Sequence, residues 1–315
     1  MASLPPTRAT ATLLVGLLCL IWGSTWIVIR GGLADLPPFT SAAARFLIAA
    51  AAMSALAPAL GAREGGGRPS LRLALALGVF NFGVSYAIVY WSETILPSAL
   101  ASVLWSVFPM SMAVSAHLFL PGERLSARQA LGFVVGFAGV VLLFATDLRA
   151  LGPGAVPAGA VLLLSPLAAT VGTTIAKREA ERTSSVLANR DGMWIGAALL
   201  VVLALAFERD APMHWTGPAI ASVLYLAIAG TVVAFGLYFW LLRHVAANRM
   251  SLIAYVTPAV ALLLGGLVGR EPVTWFTLAG SALVIGGVAL VVARRRSGSL
   301  AGQGVAAPGR LPPPR

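Results

Sequence analysis

The chain has 315 residues, 58% of them hydrophobic and only 10% charged, with a formal net charge of +11. A soluble domain carries about 25% charged residues, so this chain lacks the polar surface that would keep it dispersed in water and reads as one that faces lipid. Its basic residues sit in short loops and a C-terminal tail instead of on one clustered face, which argues against a nucleic-acid footprint. Cys19, the only cysteine, has no internal partner for a disulfide.

After a short N-terminus (1–11) that carries Arg8, ten apolar runs follow, at 12–30, 39–60, 71–91, 97–119, 127–146, 154–176, 184–207, 216–240, 248–268 and 273–293. Each approaches the ~20 residues that a helix needs to cross a bilayer. The first run is too long for a signal peptide's apolar core and lacks a small-residue cleavage site, so it reads as a retained span. Turn chemistry separates the runs: Pro37-Pro38, Gly65-Gly66-Gly67-Arg68-Pro69, Pro121-Gly122 and Gly152-Pro153-Gly154. No run alternates as the strands of a barrel would, and a helix satisfies its own backbone hydrogen bonds where lipid cannot. The expected fold is therefore an all-α membrane protein with ten transmembrane helices. Residues 294–315 open on Arg294-Arg295-Arg296 and continue rich in Gly, Pro and Ala, which predicts a disordered basic tail.

Loop charge sets the expected orientation. Of the 22 Lys and Arg, sixteen fall on one side: Arg8, the 63–72 loop, Arg124 and Arg128, Lys177 to Arg182, Arg243 and Arg249, and the tail. Four (Arg30, Arg149, Arg209 and Arg270) fall on the other, and Arg45 and Arg190 lie inside apolar runs. The bias predicts cytoplasmic termini on a multi-pass protein of the cell's inner (plasma) membrane.

The two halves are related. A shift of 149 lays Gly23-Ser24-Thr25 on Gly172-Thr173-Thr174, Trp91 on Trp240 and Pro109 on Pro258; a shift of 148 pairs Glu123 with Glu271, and one of 145 pairs Arg45 with Arg190. Two five-helix units, 12–146 and 154–293, follow from this. An odd helix count predicts that the second unit is inverted, and the basic loops of one half match poorly charged loops of the other. Inverted repeats place a transporter's site near the midplane between them.

Several stretches resemble the EamA-type members of the drug/metabolite transporter superfamily: Trp22-Gly23-Ser24-Thr25-Trp26, Leu36-Pro37-Pro38-Phe39 with Arg45-Phe46, Pro97 to Leu104 with Pro109, and Pro121-Gly122-Glu123-Arg124-Leu125. The resemblance covers about residues 12–293. It implies ten helices in duplicated five-helix units, cytoplasmic termini, and export of amino acids, metabolites or toxic compounds by alternating access. It also implies a path lined by the first, third, fourth, sixth, eighth and ninth helices. The sixth helix of this chain lacks an aromatic residue often present there.

Along that path the candidate substrate-binding residues are Trp22, Asn81, Tyr86, Glu93, Trp105 and Tyr255. Aromatic faces suit the apolar part of a small amphipathic solute and stabilise a cation by roughly 0.5–2 kcal/mol; they serve equally as packing or belt residues. Glu93 is expected at the outer end of the third helix, either as an exposed loop carboxylate or as a vestibule or proton-coupling group that attracts an amine. Arg45, Arg190 and Asp191 are intramembrane charges, costly at the bilayer centre by at least ~2.5 kcal/mol; the arginines either snorkel or meet an anionic substrate group. Pro109 and Pro258 each remove a helical hydrogen bond and are candidate hinges or static kinks. Glu123 and Glu271 read as helix-start or loop-bracing residues. His117, His214 and His244 form no metal set, and no Walker loop or nucleophile elbow appears, so neither a cofactor nor a catalytic role is expected. The expected partners are a small-molecule substrate and the lipid bilayer, with a homodimer left open. The competing reading is an intramembrane enzyme acting on a lipid-linked substrate, which should show clustered acids or histidines.

Overall fold

A computed structural model describes residues 7–64, 66–121, 124–179, 182–244 and 253–292. The side chains of Tyr255 and of Arg63, with Glu123, Arg249 and the tail 294–315, lie outside the described residues. Among the described residues the chain is all-helical apart from one isolated bridge, and nine helices are long and apolar enough to cross a bilayer. They are α1 (Arg8–Gly32), α2 (Pro38–Glu64), α3 (Leu71–Glu93), α4 (Ser98–Phe119), α5 (Ala127–Leu148), α6 (Ala155–Glu179), α7 (Ser185–Phe207), α8 (Gly217–Tyr238, continuing to His244) and α10 (Trp275–Val292). The ninth apolar run yields a shorter helix, α9 (Ile253–Leu267).

How each helix starts follows from local sequence. Thr7, Ser70, Ser126, Ser184 and Thr216 accept from an amide of the first turn of α1, α3, α5, α7 and α8, and Ser126 forms a full capping box with Gln129. The starts of α2 and α4 follow Pro37 and Pro97, where no hydroxyl side chain stands at the cap. Distant glutamates cap them instead. Glu208, just past the end of α7, accepts from the amides of Phe39 and Thr40, both at 2.7 Å, and from the Thr40 hydroxyl at 2.8 Å. Glu271 accepts from the amides of Ser98 and Ala99 at 2.7 and 2.9 Å. Carboxylates stabilise helix N-termini through exposed amides and the helix dipole.

Glu64 completes the pattern. At the end of α2 it accepts from the Ser184 and Ser185 hydroxyls and from the Val186 amide at the start of α7. Helices α2 and α7 are thus antiparallel, and each ends on a carboxylate that caps the other. Burial works against this charge, but the hydroxyl and amide donors outweigh it and hold the Glu64 carboxyl below the usual range.

Close backbone contact organises the rest. In α5 and α10, Gly132, Gly136 and Gly139 face Gly280 and Gly287 so closely that a Cβ on Gly287 would lie 2.6 Å from the Gly136 Cα. Helix α1 meets α9 at Gly23, where a Cβ would stand 2.5 Å from Val260 Cγ1. Large apolar side chains such as Phe137, Phe207 and Trp275 point outward, as a lipid-facing surface requires.

Three helices carry π-turns: α3 at Ala76–Val84, α8 at Ile228–Val233, and the end of α5 at Phe144–Leu148. Two others break. Helix α4 stops at Trp105 and resumes at Phe108, and α6 stops at Leu162 and resumes at Leu164. Pro109 therefore stands at the start of a new helical segment instead of kinking a continuous one, while Pro258 lies inside α9.

The two ends of the bundle differ. At the end that holds Arg68, Arg72, Lys177 and Arg178, an isolated bridge joins Gly67 to the extended backbone around Thr183. It requires Gly66, which has φ +87° and a backbone packed against Thr183 and Ser184. At the other end Thr216 donates to Asp35 at 2.6 Å, Thr274 donates to Asp147 at 2.7 Å, and Arg30 grips the carbonyls of Glu93 and Leu96.

Candidate functional site

Arg45 lies on the second turn of α2, and its side chain is only 1% exposed. Its Nε donates to the Thr231 hydroxyl at 3.0 Å, and Nη1 lies 3.4 Å from the Tyr90 hydroxyl. The guanidinium carbon sits 4.8 Å from the Tyr86 ring centroid and 5.4 Å from that of Phe46. No carboxylate among the described residues forms an ion pair with Arg45, so it is a buried cation without a directly paired anion. Hydroxyls and ring faces replace part of its hydration.

The π-turns help build this site. In α8 the extra residue turns Thr231 so that its hydroxyl donates to Leu226 O at 2.8 Å while accepting from Arg45. Gly230 beside it leaves room for the guanidinium, whose Nη2 would lie 3.7 Å from a Cβ there. In α3 the π-turn carries Asn81 and Phe82. π-bulges inside α-helices are frequent at functional sites.

Aromatic rings extend from Arg45 in a chain. Phe46 meets Tyr86 and Phe82 with centroids 4.6 and 5.6 Å apart, Phe82 meets Phe235 at 6.0 Å, and Trp22 packs on Phe235 and Tyr238 at 5.7 and 5.5 Å. A second group joins Trp26, Trp105 and Phe108. There Trp105 Nε1 donates to the Ser165 hydroxyl at 2.9 Å, and Ser165 bonds to both the hydroxyl and the carbonyl of Ser85.

Of the expected site residues, the structure gathers Tyr86, Trp22 and Arg45 into one cluster and seats Trp105 in the neighbouring one. Asn81 is half-buried on the π-turn of α3. The Tyr255 side chain is not among those described. Arg190 and Asp191 pair with each other, Nη2 to Oδ1 at 2.6 Å, with about a third of each side chain exposed, so Arg190 does not repeat the setting of Arg45. Glu93 departs from its expected place. It is neither an exposed loop carboxylate nor open at an outer mouth, because its side chain is wholly buried and neither carboxyl oxygen has a hydrogen-bond partner among the described residues. Helix α1, reaching over it with Arg30, and the Glu271 cap on α4 close the end of α3 in a way that a local reading of Trp91-Ser92-Glu93 does not reveal. Thr231, Phe46 and Phe82 belong to the cluster without having been singled out. Phe46 was readable as the neighbour of an intramembrane arginine; Thr231 carries no comparable signal. Among the described residues no group of three or more His, Cys, Asp or Glu could hold a metal ion.

The profile of the EamA-like transporter family matches residues 9–145 and again 157–293. The chain belongs to that family. The double match makes it a tandem of two copies of one family unit. The transporter YoaV of Bacillus subtilis is 24% identical over 85% of this chain and 92% of its own length. The inner membrane transporter YedA of Escherichia coli K12 is 28% identical over 87% and 88%. A Salmonella typhimurium protein named "Probable amino-acid metabolite efflux pump" is 27% identical over 86% of this chain and 91% of its own. A crystal structure aligns over 92% of this chain and 100% of that one with TM-score 0.65 and 24% identity, a likeness of fold.

Proposed function

We propose that this chain is a secondary transporter of the inner membrane that exports small amphipathic metabolites bearing a carboxylate, amino acids among them, by alternating access. Ten spans in two inverted five-helix units, with both termini cytoplasmic, form its frame. The reciprocal caps of α2 and α7 support the inverted arrangement, since equivalent helices of two inverted units run antiparallel. The observation that carries the substrate class is Arg45, a buried guanidinium with no carboxylate partner among the described residues, set between Tyr86 and Phe46. An arginine fork binds carboxylates in two-point geometry, and the adjoining rings of Tyr86, Phe82, Phe235 and Trp22 suit an apolar side group. One relative carries the name "Probable amino-acid metabolite efflux pump", which supports the class.

Purified protein in proteoliposomes, loaded with labelled amino acids, aromatic carboxylates or aromatic amines, tests this. Carboxylate-bearing solutes leave faster than from protein-free vesicles, and Arg45→Lys, which keeps the charge but loses the fork, slows them at least tenfold while melting like wild type. Equal leakage with and without protein for every carboxylate refutes the reading.

A further inference from the structure

Arg45 is not the only buried group without its complement. Glu93 ends α3 with a fully buried side chain, and among the described residues both carboxyl oxygens lack a hydrogen-bond partner, as does the hydroxyl of the preceding Ser92. The charged and titratable groups that bear on it come from four elements: Arg30 of α1, Arg45 of α2, Tyr90 of α3 and Glu271 of the α9–α10 turn. Two are committed elsewhere. Arg30 donates to the main-chain carbonyls of Glu93 and Leu96, and Glu271 accepts from the Ser98 and Ala99 amides. Tyr90, three residues before Glu93 and thus on the same helix face, contacts Arg45 directly.

A carboxylate ion buried without any hydrogen bond is among the least favourable arrangements a protein can hold. In this packing the protonated, neutral carboxyl is the form of Glu93 that costs least. The same packing leaves Arg45 charged and without an anion. The two facts complement each other.

We propose that Glu93 carries a proton coupled to substrate, exchanging places electrostatically with the substrate carboxylate at Arg45. This rests on the carboxylate reading above. With substrate bound, its carboxylate faces Arg45 and Glu93 keeps its proton. When substrate leaves, the Glu93 O–H bond breaks, the proton passes to water at the open face, and the electron pair stays on the carboxylate, which balances the charge of Arg45 held against Tyr90, one turn back along α3. Arg45 faces a single negative charge in both states. One proton thus accompanies each carboxylate in the same direction, and the direction of net flux follows the sum of the two gradients.

The probe is phenylacetate, a carboxylate with an aromatic ring and no amine, titrated calorimetrically into detergent-solubilised protein in buffers of different ionisation enthalpy. Wild type takes up about one proton per phenylacetate bound, because binding and protonation are linked. Glu93→Gln binds with about zero proton uptake and an affinity that no longer changes with pH, while Glu93→Asp retains the uptake. Phenylacetate binding to wild type without proton uptake overturns the inference alone, as does uptake that persists in Glu93→Gln. Absence of phenylacetate binding to wild type overturns the carboxylate reading, and this inference with it. Should Glu93→Gln fail to fold, the wild-type proton count and Glu93→Asp still decide: loss of uptake in the aspartate variant counts against the proposal.

Discussion

Removing the carboxylate of Glu208 isolates the long-range cap that starts α2. Its loss leaves two backbone amides, Phe39 and Thr40, and the Thr40 hydroxyl without their acceptor. A hydrogen bond to a charged group contributes about 1.5–3 kcal/mol, and loss of an N-cap costs about 0.5–2 kcal/mol. The three bonds share one carboxylate and lie at the bundle's end, where water can replace part of what is lost, so they do not sum. Glu208→Ala is expected to destabilise by about 3 kcal/mol and Glu208→Gln, which keeps one acceptor oxygen, by about half as much. At roughly 2–4 °C per kcal/mol for a chain of this size, the alanine variant melts about 6–12 °C below wild type when followed by thermal unfolding of the detergent-solubilised protein. Glu179→Ala is the control: its bond to the Ser70 hydroxyl at 2.8 Å is exposed, and a surface change of that kind stays within about 0.5 kcal/mol. If Glu208→Ala melts with Glu179→Ala, the cap contributes nothing and the reasoning is refuted.

Gly23→Ala should destabilise by about 1–3 kcal/mol through overpacking, since its Cβ would fall 2.5 Å from Val260 Cγ1 and 3.1 Å from Thr257 O, whereas Gly16→Ala, with nothing within 4 Å, should not; equal melting temperatures would refute the α1–α9 contact. In a Cys19→Ser background, a cysteine at Thr94 should react with an impermeant maleimide on intact cells and one at Arg68 should not; the reverse labelling would overturn the orientation. Glu64 is held below its ordinary value of 4.5, so its stabilising effect is complete above that pH and is lost as pH falls through the lower folded value. Melting curves of Glu64→Gln should therefore lie below wild type at neutral pH and converge with it on acidification; a constant gap down to acid pH would contradict the assignment.

The apolar runs and their Gly and Pro punctuation made the helices legible, because bilayer thickness imposes a length that sequence displays directly. The ninth run is the exception, giving only the fifteen residues of Ile253–Leu267 among those described. Arg45 was legible for the same reason: a charge within an apolar run needs an explanation. What the sequence did not disclose depends on contacts between distant segments. Glu93 stands at the polar end of its run, where only Arg30 and the Glu271 turn bury it. Glu64 and Glu208 look like ordinary loop acids until the helix each one caps is in place. The π-turns of α3 and α8 leave no local mark, since an extra residue per turn is decided by what packs against it.

The breaks in α4 and α6 lie at one level, because Trp105, the last residue before the first break, bonds Ser165, just past the second. Beyond that level the two helices are laced together. The Ser111–Thr170 and Ser115–Thr174 hydroxyl pairs each meet at 2.7 Å, and Arg178 holds the Phe119 carbonyl at the far end. The segments Phe108–Phe119 and Leu164–Glu179 are therefore tied to one another along their length. A load applied to either segment is carried by both, as in a laminated beam.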